Sequence, residues 1–115
     1  MIDEIFRGEV YLGNLDGAEG CELQGDHPVL IVSNDIGNTY SSVVTVVPIT
    51  SVQKRAYITQ VRVSAGTANL RYNSTILCNQ IRTLDKTRLK FKIGTFDEKV
   101  MQSVNFALKM QLGVN

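Results

Sequence analysis

The chain has 115 residues, 43% apolar and 20% charged, with a net charge of +1; that length and composition suit one domain, expected over 1–115, and exclude a disordered chain. The near-neutral total hides an uneven distribution: residues 1–50 carry one basic residue, Arg7, against eight acidic ones, and residues 51–92 carry nine basic residues against Asp85 alone. A basic middle of this kind supplies the phosphate-facing groups of a nucleic-acid site, whereas the plainer reading is that folding mixes the halves into ordinary solvated faces.

In chain order, Met1–Arg7 shows no secretory signal, and Glu9–Leu12 reads as a first strand. Asn14–Asp26 carries three glycines and little β-branching, so it is expected to be a long loop. Pro28–Ser33 is a second strand, and its Val29-Leu-Ile-Val run is that of a strand covered on both faces. Asn34–Ser42 reads as a second loop, with Gly37 and Asn38 suited to positive φ. Val43–Ile49, Ile58–Val63 and Thr75–Arg82 are further strands; Gln60-Val-Arg-Val alternates as a half-buried strand does. Short helical turns are expected at Ser51–Arg55 and Leu84–Leu89. Thr95-Phe-Asp-Glu98 has capping-box spacing, and Val100, Met101, Val104, Ala107, Leu108 and Leu112 follow at helical intervals. Several short strands and one terminal helix predict a mainly β fold, a strongly bent sheet or small barrel with a helix packed on it. The longest nearly continuous apolar run, Val43–Ile49, is far short of the roughly 20 residues that span a bilayer, so a soluble, cytoplasmic protein without membrane contact is expected.

No Gly-rich phosphate loop, nucleophile elbow, paired dinucleotide glycines or zinc-ligand spacing occurs, and neither metal nor cofactor is implied. The sole histidine, His27, stands where the glycine-rich loop meets an apolar strand; its imidazole can give or take a proton near neutrality. Thr50, just past the strand Val43–Ile49, offers a hydroxyl to an anionic oxygen or, equally, a cap to a turn beginning at Ser51. Cys21 lies within five positions of Asp16, Glu19 and Glu22, the wrong surroundings for an activated thiolate, and Cys78 reads as a core thiol.

These segments, in this order, resemble the MazF/PemK family, the toxins of bacterial toxin–antitoxin pairs, from Arg7 to about Leu112. Arg7-Gly-Glu-Val-Tyr11 resembles the family's opening strand, and Pro28-Val-Leu-Ile-Val-Ser-Asn-Asp35 its second strand and following turn. Val46-Val-Pro-Ile-Thr-Ser51 resembles the strand end that carries its threonine, and Ser74–Leu89 its last long strand and turn. The resemblance implies an SH3-like small barrel with short helices and a C-terminal helix, assembled as a homodimer. It implies a ribosome-independent, metal-free endoribonuclease that cuts single-stranded mRNA at a short sequence. The ribose 2′-OH attacks the neighbouring phosphate, leaving a 2′,3′-cyclic phosphate and a 5′-OH.

Residue by residue, the resemblance aligns Thr50 with a threonine at the scissile phosphate and Gly20-Cys21-Glu22 with a loop that covers RNA. It matches Gln80 to a base-reading position, with Asn79 and Ser51 as weaker correspondences. The departure is at position 27: the family motif Gly-x-Arg-Pro is here Gly25-Asp-His-Pro28. Histidine must be protonated to replace arginine's charge, which neighbouring Asp26 would favour. Either His27 is the general acid or base, or the site is weakened and the protein binds RNA or antitoxin without efficient cleavage. The implied partner is an antitoxin whose acidic, partly disordered tail competes with RNA for the basic segment. The related CcdB toxins share the barrel and poison DNA gyrase through the helix tip, but Met110-Gln-Leu-Gly-Val-Asn115 does not resemble theirs.

Overall fold

A computed structural model of the chain describes residues 4–52 and 57–115. Its strands are β1 (Glu9–Asn14), β2 (Asp26–Ile31), β3 (Val43–Thr50), β4 (Gln60–Val63), β5 (Ser74–Leu77), β6 (Arg82–Asp85) and β7 (Leu89–Thr95). Two α-helices accompany them, α1 (Asp35–Tyr40) and α2 (Glu98–Leu112). All pairings are antiparallel in the order β4-β5-β3-β2-β1-β7, and β6 lies against the first half of β3 while β5 lies against its end. The expected small, bent β fold with a terminal helix is what forms.

β3 is the spine, and its apolar run has a simple cause. Side chains alternate between faces along a strand. Val44 and Val46 therefore join one core with Val29, Ile31 and Leu84, while Val47 and Ile49 join a second with Leu30, Ile76 and Val104. A strand buried on both sides has no polar face to show. Helix α2 closes the second core with Met101, Val104 and Ala107, and Leu112, expected on that face, is exposed. No helix among the described residues is long and apolar enough to cross a membrane.

The structure shifts the ends of the expected strands by one or two residues and corrects the expected elements more deeply elsewhere. Asn34–Ser42 is not an open loop: Asn34 caps α1 by accepting from the Gly37 N–H at 2.7 Å, and buried Asn38 donates to the Ser33 carbonyl at 2.9 Å. Neither Gly37 nor Asn38 takes a positive φ. The single strand expected over Thr75–Arg82 is two, broken by a turn in which the Gln80 N–H bonds the Leu77 carbonyl. The cap of α2 is Asp97, which accepts from the Val100 N–H at 2.9 Å, while Thr95 ends β7. The turn expected over Leu84–Leu89 narrows to a 3₁₀ turn at Lys86–Arg88, and β7 has no counterpart among the expected elements. Of the turn expected at Ser51–Arg55, positions 53–55 lie outside the described residues.

A 3₁₀ turn at Thr67–Asn69 packs against β7 and brings the two ends of the sheet together. Ala68 and Asn69 both take left-handed conformations there, and the Asn69 side chain donates to the Ile93 carbonyl at 3.0 Å. The contact is tight: a Cβ on Gly94 would lie 2.2 Å from the Ala68 carbonyl oxygen. Glycine is needed there for space, and the turn it admits becomes one wall of the cavity described next.

Candidate active site

His27 and Thr50 share a cavity of about 520 Å³. The β2–β3 register runs from Ile31 opposite Val46 to Val29 opposite Pro48; carried two residues further, it sets His27 level with Thr50. Both are half-buried. Ser51 lies on the same wall, Asn69, Arg71 and Tyr72 come from the far side, and Phe91 comes from β7. Bulges in the β1–β7 pairing, on either side of Tyr11–Leu12, interrupt the alternation of β7 and leave Phe91 exposed.

The Thr50 hydroxyl oxygen accepts from the Val52 N–H at 3.2 Å. That capping-like contact, one of the two roles open to it, uses a lone pair and leaves the hydroxyl hydrogen free to donate. Both roles are therefore compatible. The Asp26 carboxylate has a partner other than His27. Adjacent strand residues face opposite ways, and the Asp26 carboxylate accepts from Lys90 Nζ at 2.6 Å.

A second cavity, about 260 Å³, meets the first at Thr50 and Val52. Cys21, Gln80, Tyr57, Gln60 and Thr75 are on its walls. Thr50 thus stands where two cavities join, with His27 to one side and Cys21 and Gln80 to the other. The Gln80 side-chain oxygen accepts from the Leu23 N–H at 3.1 Å, tying the β1–β2 loop to the turn after β5; its amide NH₂ is the part left for a ligand. Gly20 and Glu22 are exposed at the loop tip and line neither cavity, and Glu22 accepts weakly from the Glu19 N–H within the loop. Asn79 is exposed in the turn beside Gln80, also outside both cavities. Burial pushes the Cys78 thiol up to about 12, which keeps it inert.

Four cations of the basic segment bind other parts of the chain. Arg82 donates to the Leu15 carbonyl and Arg88 to the Asp16 carbonyl, both at 2.8 Å. Lys90 and Lys92 pair with Asp26 and Glu9, each at 2.6 Å. Folding does mix the halves. Arg71, Tyr72 and Phe91 on the first cavity, and Thr75 on the second, were not singled out from sequence. The signal available was the Arg71-Tyr72 dipeptide, a cation beside an aromatic ring, which suits a nucleic-acid strand.

Residues 6–112 match the family model of PemK-like, MazF-like toxins of type II toxin–antitoxin systems. The chain is 44% identical over 110 residues to an endoribonuclease MazF of Staphylococcus saprophyticus, covering 95% of this chain and 92% of that protein. An endoribonuclease solved in complex with its cognate antitoxin, from a mycobacterial species, superposes with a TM-score of 0.81 at 28% identity, covering 96% of this chain and 97% of the other. The crystal structure of a MazF from Deinococcus radiodurans shares the fold, with a TM-score of 0.83 at 22% identity over 96% of this chain and 98% of that one.

Proposed function

The chain belongs to the PemK-like, MazF-like toxins of type II toxin–antitoxin systems, and we propose that it is a sequence-specific endoribonuclease that cuts single-stranded mRNA in the cytoplasm. The observation that carries this reading is the placement of Thr50 between two joined cavities, one holding His27 and the other Gln80 and Cys21. A strand of RNA passing Thr50 sets one phosphate beside a hydroxyl donor and an imidazole, with a base on either side.

The reaction is an internal displacement. The ribose 2′-oxygen attacks phosphorus, the bond to the 5′-oxygen breaks, and the products are a 2′,3′-cyclic phosphate and a 5′-OH. The nucleophile belongs to the substrate, so the reaction calls for proton transfer and charge stabilisation, and no metal or cofactor enters it. His27 transfers the proton, as general acid to the leaving 5′-oxygen or as base to the 2′-OH. Thr50 donates to a phosphate oxygen where charge develops. Gly20, Cys21 and Glu22 cover the RNA, and Gln80, Asn79 and Ser51 contact bases, since single-stranded RNA is read through unstacked base edges. One 1–115 domain carries the whole site and works as a homodimer. The partner is a cognate antitoxin whose acidic tail occupies the RNA path.

The test is incubation of pure protein with a long single-stranded RNA in EDTA, with 5′ ends mapped by primer extension. Cuts at one short sequence, lost in Thr50→Ala and reduced in His27→Ala, are expected. The departure at position 27 supports one second reading, a weakened site. It predicts no cleavage at any pH by the natural chain and cleavage on His27→Arg.

A further inference from the structure

The cavity that holds His27 and Thr50 has one guanidinium on its walls and, among the described residues, no carboxylate and no other lysine or arginine. That guanidinium is Arg71. Among the described residues, four other cations of the basic segment are committed elsewhere: Arg82 and Arg88 hold loop carbonyls, and Lys90 and Lys92 hold Asp26 and Glu9. The exposed Arg71 side chain has no hydrogen bond or ion pair with any described residue. Its backbone is nevertheless fixed from both sides. Leu70 is buried in the core beneath α2, Asn69 is tied to Ile93, and the Tyr72 carbonyl accepts from the Ser74 hydroxyl at 2.7 Å. On an anchored segment, a cation unpaired among the described residues faces a cavity whose described walls carry no acid.

The chemistry of a phosphodiester gives that cation a task. The phosphate is anionic throughout, and negative charge concentrates on its non-bridging oxygens as the 2′-oxygen bonds to phosphorus and the 5′-oxygen departs. Thr50 brings a donor without charge, and an imidazole is charged only while it holds its second proton. Neither group gives the site a permanent charge. A guanidinium stays charged at every working pH, and its planar fork matches two phosphate oxygens.

We infer that Arg71 supplies the permanent positive charge of this site, binding the scissile phosphate in the 520 Å³ cavity beside Thr50 and His27. It donates hydrogen bonds and transfers no proton. The proton from the 2′-OH and the proton taken up by the 5′-oxygen pass through other groups, which leaves His27 free to change charge during turnover. The inference rests on the endoribonuclease reading and adds a residue to it.

The experiment measures kcat and KM for the full chain on an RNA carrying its mapped cut, over a range of pH, with Arg71→Ala, Arg71→Gln and Arg71→Lys. Loss of a charged donor to the transition state is expected to lower kcat about 100-fold or more in Arg71→Ala and Arg71→Gln, with unchanged thermal midpoints. Arg71→Lys recovers part of the loss, because it restores charge without the fork. Free guanidinium at non-denaturing concentration restores cleavage by Arg71→Ala, a rescue that a merely structural residue would not show. If the natural chain cuts RNA and Arg71→Ala cuts equally well, or loses activity with no recovery from lysine or guanidinium, the assignment of Arg71 is wrong and the endoribonuclease reading stands. If neither the natural chain nor His27→Arg cuts RNA, that reading fails, and the role of Arg71 fails with it.

Discussion

Two arginine-bearing regions of this protein use the same side chain in opposite ways. At the base of the β1–β2 loop, Arg82 and Arg88 are drawn onto main-chain carbonyls of Leu15 and Asp16, and Gln80 holds Leu23 beside them. At the rim formed by Asn69, Leu70, Arg71 and Tyr72, the backbone is fixed by a left-handed turn and a buried leucine while the guanidinium has no partner among the described residues. The first region converts charge into architecture; the second keeps it for a ligand. The number of cations in a stretch of sequence is thus a poor guide to a nucleic-acid surface until each one's internal acceptor is known.

The difference can be broken most strongly at the site itself. Thr50→Ala removes the donor at the junction of the two cavities, and cleavage is expected to fall about 100- to 1,000-fold, the effect of losing one preorganised donor. Single-turnover kinetics with saturating enzyme reads that loss, and the thermal midpoint is expected to stay near that of the natural chain. His27→Ala removes the proton-transfer group and is expected to lower the rate less than Thr50→Ala does, read by the same single-turnover kinetics.

The rim can be broken from behind. A methyl group on Gly94 would meet the Ala68 carbonyl oxygen at 2.2 Å, a backbone atom that cannot swing aside. Gly94→Ala is therefore expected to cost about 3 kcal/mol, the upper end of overpacking penalties, measured by urea denaturation. Cleavage should fall with it, since the turn that moves carries Asn69 and Arg71. The loop base gives the complementary result. Arg82→Ala removes a partly buried charged donor from the Leu15 carbonyl and is expected to cost about 2 kcal/mol. Hydrogen exchange should rise in Leu15–Gly25, whereas Arg71→Ala should leave both stability and exchange unchanged.

Much of this arrangement was legible in the sequence, and the parts that were not have physical reasons. The two-sided burial of β2 and β3 was readable because unbroken β-branched runs have few other uses, and Thr50 and His27 were readable because they stand at strand ends next to loops. Strand β7 was missed although Leu89-Lys-Phe-Lys-Ile93 alternates, because its charges belonged to a basic stretch whose acceptors, Asp26 and Glu9, lie more than sixty positions earlier. Helix α1 was missed because its stability comes from an Asn34 cap and a buried Asn38 in place of apolar periodicity. Arg71 is one of nine cations in the sequence, and only tertiary structure separates it from Arg82, Arg88, Lys90 and Lys92, whose partners are far along the chain. Short-range pattern identifies the elements; the fate of a charge is decided by contacts that sequence separation conceals.

The smallest expected effect sharpens the comparison within one residue type. Thr50 and Thr75 are directly opposed on β3 and β5 and both line the second cavity. The Thr50 oxygen has a partner in the Val52 N–H, whereas the Thr75 hydroxyl is buried without one among the described residues. A buried hydroxyl left unpaired costs about 1–3 kcal/mol, and valine fills nearly the same shape without it. Thr75→Val is therefore expected to raise stability by about 1 kcal/mol, seen as a higher urea midpoint with unchanged slope. Cleavage should stay within about twofold of the natural chain, since substitutions outside the reacting groups change transition-state stabilisation little. A gain in stability accompanied by a tenfold or larger loss of cleavage would move the Thr75 hydroxyl from the structural side of the comparison to the ligand side, beside Arg71, as a group whose partner is the RNA.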